Sequence, residues 1–78
     1  MGLNTESLND LDRHILDILE EGRATPTLIK KILNDQGKDY TRQYISQRLK
    51  RLAEHNHIVN IRNTGVYELT DDPRTNNA

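Results

Sequence analysis

The chain has 78 residues, 33% of them apolar, with no Cys, Phe or Trp, so one module around one small core of Leu and Ile is expected. The absence of Cys excludes disulfides, thiol nucleophiles and Cys-ligated zinc, and a reducing, cytoplasmic setting fits. Apolar runs of only two residues, as in Ile15-Leu16 and Ile18-Leu19, exclude a membrane span, while the net charge of −1 conceals a basic centre between acidic ends.

The first predicted helix starts at Asn9, an N-cap type, with Asp12 three residues on and Gly22 to close it. Leu8, Leu11, Ile15, Ile18 and Leu19 recur at the spacing of one buried stripe. Asp10, Arg13, Asp17 and Glu20 form the opposite, wet face, and His14 lies beside the stripe. Arg23-Ala24 is an extended link with room for a short strand.

Thr25 followed by Pro26 is a favoured helix start. Leu28, Ile29, Ile32 and Leu33 give the second helix its buried face, and Gly37 stops the chain beyond it. Thr41 caps a third helix, and Tyr40 can staple against Ile45 at its entry. Its apolar line is narrow, only Ile45, Leu49 and Leu52, and Asn56 suits a left-handed cap after it.

The period then changes to that of strands. Ile58–Arg62 and Val66–Thr70 are β-branched and aromatic runs joined by Asn63-Thr64-Gly65, a hairpin signal. Residues 1–7 and 71–78 are polar and are expected to be flexible ends around a domain at 8–70. The order helix, helix, helix, hairpin predicts an α+β, mainly α fold, a winged helix-turn-helix.

Charge follows this organisation. Residues 1–21 carry Glu6, Asp10, Asp12, Asp17, Glu20 and Glu21 against Arg13, a net of −5. Residues 22–62 carry nine bases against Asp35, Asp39 and Glu54, a net of +6, and residues 63–78 sum to −2. Such asymmetry points to a polyanion partner, although a plain solvated face has the same composition.

Several segments look familiar. Gly22-Arg23-Ala24-Thr25-Pro26 is similar to the start of the second helix in small haloarchaeal winged-helix regulators. Residues 44–52, Tyr-Ile-Ser-Gln-Arg-Leu-Lys-Arg-Leu, resemble their recognition-helix signature. Glu54-His55-Asn56-His57-Ile58 and Tyr67-Glu68-Leu69 with Asp71-Asp72-Pro73 look like the segments that follow it. The family includes relatives of a haloarchaeal phage repressor, and the resemblance spans residues 8 to 74. Two departures stand out: Asn34 to Tyr40 is longer than the family's tight turn, and Asn56 replaces the usual Gly. The resemblance implies sequence-specific binding of double-stranded DNA and control of transcription, with no enzyme activity or cofactor.

A projection of the third helix at about 100° per residue, with Ile45, Leu49 and Leu52 inward, sets Gln43, Gln47 and Lys50 outward. Residues near the start of a recognition helix reach bases, which selects Arg42, Gln43, Ser46 and Gln47. Gln can pair bidentately with adenine. Tyr44, Arg48, Lys50 and Arg51 are expected on phosphates, joined by Thr25, Thr27, Lys30 and Thr41 at the two helix starts. Arg62, Asn63 and Thr64 form the tip of the wing, suited to a phosphate or the minor groove.

Plainer roles compete with these. Gln43 and Gln47 are good helix formers on any wet surface, and Tyr44 can be a core-edge aromatic. Arg48 and Arg51 can pair with Glu54 or with acids of the first helix. His14, His55 and His57 lack the pattern of a metal site, and Asp71-Asp72 reads as solubilising. No catalytic residues are expected, because the glycines are dispersed and the serines, Ser7 and Ser46, stand alone.

The expected function is a DNA-binding repressor that acts by occupying its operator, with no cofactor, metal, membrane or small-molecule ligand. A homodimer through the first helix is the expected assembly, since palindromic sites reward two-fold symmetry. The alternative is a winged-helix module that docks an acidic protein through the third helix.

Overall fold

The computed structural model describes residues 8–74; the ends at 1–7 and 75–78, expected to be flexible, lie outside the described residues. Three helices come first, α1 (Asp10–Glu21), α2 (Pro26–Asp35) and α3 (Arg42–Glu54). Two short antiparallel strands follow, β1 (Ile58–Asn60) and β2 (Tyr67–Leu69), in the layout of a winged helix. None of the described helices is long and apolar enough to cross a membrane.

Local chemistry sets each helix end. The Asn9 side chain accepts from the Asp12 amide at 2.8 Å, and Asp12 returns the bond by accepting from the Asn9 amide at 3.1 Å. This reciprocal box satisfies two donors that the first turn leaves orphaned. Thr25 and Thr41 cap α2 and α3 through their hydroxyls, which accept from Leu28 and Tyr44 amides at 3.1 Å. At the other ends the chain turns left-handed at Gly37 (φ 79°) and Asn56 (φ 65°). The Lys38 amide then reaches back to the Leu33 carbonyl, and the His57 amide to Leu52, closing both helices as the Schellman geometry does.

The core joins all elements. Leu8, Leu11, Ile15, Leu16 and Leu19 of the α1 region meet Ile29, Leu33, Ile45, Leu49, Leu52 and Ile58. Each fully buried Leu or Ile is worth about 1.5–3 kcal/mol relative to exposure. Leu16, outside the expected stripe, is fully buried, whereas Ile18 is only half-buried. Leu28, expected inside, is 44% exposed, because α2 turns Ile29 and Leu33 rather than Leu28 to the core.

The link between α1 and α2 contains the expected short strand, reduced to a single residue. Ala24 and Tyr67 exchange both backbone hydrogen bonds, at 3.0 and 2.7 Å, which ties that link to the wing. The wing differs from expectation at its first strand, which stops at Asn60 rather than Arg62. Ile61–Asn63 instead form a tight helical turn whose Arg62 and Asn63 have φ of 52° and 57°. The Asn60 side chain accepts from the Gly65 amide at 2.9 Å, and Thr64 donates to the Ile61 carbonyl, so the tip closes on itself.

The expected tail also begins too early. Asp72 and Pro73 are buried, and Arg74 ties Asp72 to Asp17 of α1 and approaches Glu20. This polar stretch is held by the ion pairs of Arg74 together with the buried Pro73. Hydrogen bonding to Arg74 outweighs burial and holds the Asp72 carboxyl below its ordinary 3.8. A lowered carboxylate pKa stabilises the fold above that ordinary value, and the contribution disappears as pH falls through the folded value. Asp72→Asn is therefore expected to cost about 1–3 kcal/mol near neutrality, with the gap to the parent narrowing below about pH 4 in urea melts.

Candidate nucleic-acid interface

The inward line of α3 determines what its outer face presents. Ile45, Leu49 and Leu52 are fully buried, which turns the opposite side of the helix outward. Arg42, Gln43, Ser46, Gln47, Lys50 and Arg51 are all exposed. The four base-reading candidates are thus accessible, as are Lys50 and Arg51. At the wing tip Arg62, Asn63 and Thr64 are exposed as well.

The bases of the protein divide into two groups. Arg13, Arg23, Lys30, Arg48 and Arg74 each lie within ion-pair distance of an acid. Arg42, Lys50, Arg51, Arg62, Lys31 and Lys38 have no ion-pair partner among the described residues. Four of these six lie on α3 or at the wing tip. Positive charge there is uncompensated by ion pairs among the described residues and available to an anion.

Several expected phosphate ligands have other duties. The Arg48 guanidinium turns inward and grips Asp12 with two bonds, Nε to Oδ1 at 2.8 Å and a terminal nitrogen to Oδ2 at 2.5 Å. Asp12 is fully buried, and its hydrogen bonds make the Arg48 proton harder to remove than usual. Arg48 thus takes its competing role as a partner of the first helix, whereas Arg51 stays unpaired. Lys30 donates to the Tyr40 carbonyl at 2.7 Å, pinning the α2–α3 connection. Thr25 and Thr41 hydroxyls serve as caps, while Thr27 is exposed on α2.

Tyr44 is half-exposed, and its hydroxyl accepts from Asn9 Nδ2 at 2.9 Å. Its ring lies 6.1 Å from that of Tyr40, which itself sits 6.4 Å from His14. His55 and His57 stack at 6.4 Å, and a His57 ring nitrogen meets the Asp71 carbonyl at 2.8 Å. His57 is thus part of the joint between the wing and the residues after it.

Asn9 and Asp12, which hold Tyr44 and Arg48 from behind this surface, are the residues that local pattern reading passes over. The available signal was Asp12 itself, a carboxylate centred in an apolar stripe between Leu8, Leu11, Ile15 and Leu19. A groove of about 430 Å³ between α1 and α2 is lined in part by Ile18, Leu28 and Ile32 and touches none of the expected DNA-facing residues. Apart from half-buried Ile18, the apolar stripe of α1 is enclosed in its own core, and Asp10, Asp17, Glu20 and Glu21 are exposed. Two such helices brought together would set like charges opposite each other.

No family model, curated protein or solved structure matches the chain.

Proposed function

We propose that this chain is a sequence-reading, double-stranded DNA-binding module that regulates transcription, a repressor acting by operator occupancy. The observation that carries the reading is the exposed face of α3, where unpaired Arg42, Lys50 and Arg51 flank Gln43, Ser46 and Gln47. Cations without internal partners supply phosphate attraction, and amide side chains at the helix start supply base discrimination. The resemblance of residues 44–52 to haloarchaeal recognition helices supports the same orientation, with α3 in the major groove and the Arg62 tip against the backbone or minor groove.

Roles within the surface follow from side-chain chemistry. Gln47→Ala is expected to relax preference at one base pair, a discrimination of about 1–3 kcal/mol. Lys50→Ala is expected to weaken every duplex alike, because a phosphate contact carries no sequence. Binding of single-substitution duplex panels checks both. Equal losses on every sequence for both variants would show that Gln47 does not read bases.

Selection of duplexes from a random pool at low and moderate salt tests the reading as a whole. An enriched motif is the expected result, and its symmetry reports how many copies bind. A palindrome points to two copies related by two-fold symmetry, the expected homodimer. No enrichment at low salt overturns the DNA reading and leaves the basic face to an acidic protein.

A further inference from the structure

Two grips hold α3 from the same side. The Asn9 amide reaches the Tyr44 hydroxyl at 2.9 Å, and Asp12 takes the Arg48 guanidinium in a fork. Tyr44 and Arg48 stand four residues apart, so they share one flank of the helix. On the α1 side, Asn9 and Asp12 are locked to each other by the reciprocal cap. The four side chains therefore form one connected network from the start of α1 to the flank of α3.

The core line and this flank constrain different motions. Ile45, Leu49 and Leu52 set the depth of α3, but apolar contacts are non-directional and tolerate small rotations. Hydrogen bonds at two points along one flank are directional and fix rotation about the helix axis. A rotation of α3 about its axis would sweep the exposed tips of Gln43 and Gln47 sideways and change which base edge they meet.

We propose that Asn9 and Asp12 set the roll of α3 through Tyr44 and Arg48, and so act as positioning residues for base preference without touching DNA. The inference rests on the DNA-binding reading. It reassigns Tyr44 from phosphate ligand to a fixed point of the scaffold, and it makes the N-terminus of α1 a determinant of specificity.

The test uses two mild variants, since loss of Asp12 or Arg48 can unfold the domain. Asn9→Ser keeps a good helix cap but loses the amide that reaches Tyr44. Tyr44→Phe keeps the ring and loses the acceptor. Each variant, alone and combined, is measured on the selected duplex and on random duplex across a salt series, with thermal melts alongside.

The expected result is a loss of about two- to tenfold in the ratio of specific to random affinity for each variant. The combined variant should lose no more than either alone, because both remove one contact. Salt slope and random-duplex affinity should stay as in the parent, which a loss of stability alone would not achieve. An unchanged ratio in folded variants overturns the inference while leaving DNA binding intact. So does a Tyr44→Phe loss equal on all duplexes with no effect of Asn9→Ser, the pattern of a direct phosphate contact. Absence of duplex binding by the parent overturns the DNA reading first and this inference with it.

Discussion

Arg48→Ala is expected to destabilise the domain by about 3–5 kcal/mol, because it strands the fully buried carboxylate of Asp12 without its cation. Native domains of this size are stable by only about 0.05–0.15 kcal/mol per residue, so the variant stands close to unfolding. Asp12→Ala should cost less. The Arg48 side chain is 20% exposed and can swing its charge into water, whereas Asp12 has no such route. The asymmetry separates this pair from an exposed ion pair, where either deletion costs about 0–1 kcal/mol. Urea unfolding of both single variants checks it. Equal small losses would show that the pair contributes no more than a surface contact.

Duplex affinity is expected to fall roughly 40-fold per bound copy between 50 and 200 mM salt. That figure follows if Lys50, Arg51 and Arg62 each neutralise one phosphate, a log–log slope of about −2.7 at ~0.9 per phosphate. Counting Arg48 and Lys30 as well, as the sequence alone suggests, would steepen the slope to about −4.5. Both are engaged inside the protein, Arg48 on Asp12 and Lys30 on the Tyr40 carbonyl, so the shallower value is expected. Fluorescence anisotropy over a salt series distinguishes the two. Lys50→Ala should lower the slope by about 0.9 and Arg48→Lys should leave it unchanged, provided the latter variant remains folded.

What the sequence discloses about this fold is its local chemistry. Asn9, Thr25 and Thr41 cap the helices that they are expected to cap, because capping is decided within three residues. Asn56 adopts the left-handed cap, and the inward line of α3 is as its spacing predicts. Contacts across the chain leave no such trace. Arg48 and Asp12 are 36 positions apart, and Arg74 and Asp17 are 57 apart. Composition therefore leaves Arg48 open between a phosphate ligand and a partner of the first helix, and makes residues 71–74 look like loose chain. Leu28 and Ile61 fail for a related reason. Apolar character predicts an inward or extended residue, but the orientation of α2 and the closure of the tip decide otherwise. On the proposed surface, residue types and the exposed face of α3 are legible, while the division between free and committed cations requires the tertiary structure.

On the proposed DNA-binding reading, the conformation of the wing tip sets stability against binding at one residue. Arg62 holds a backbone angle of 52°, a region that costs a side chain with a Cβ about 1–2 kcal/mol and costs glycine little. Arg62→Gly should therefore raise the melting temperature by several degrees and weaken every duplex by removing an unpaired charge. A screen for heat resistance would select that change and a screen for occupancy would reject it. Retaining arginine there concedes folding stability to keep a cation at the extremity of the wing.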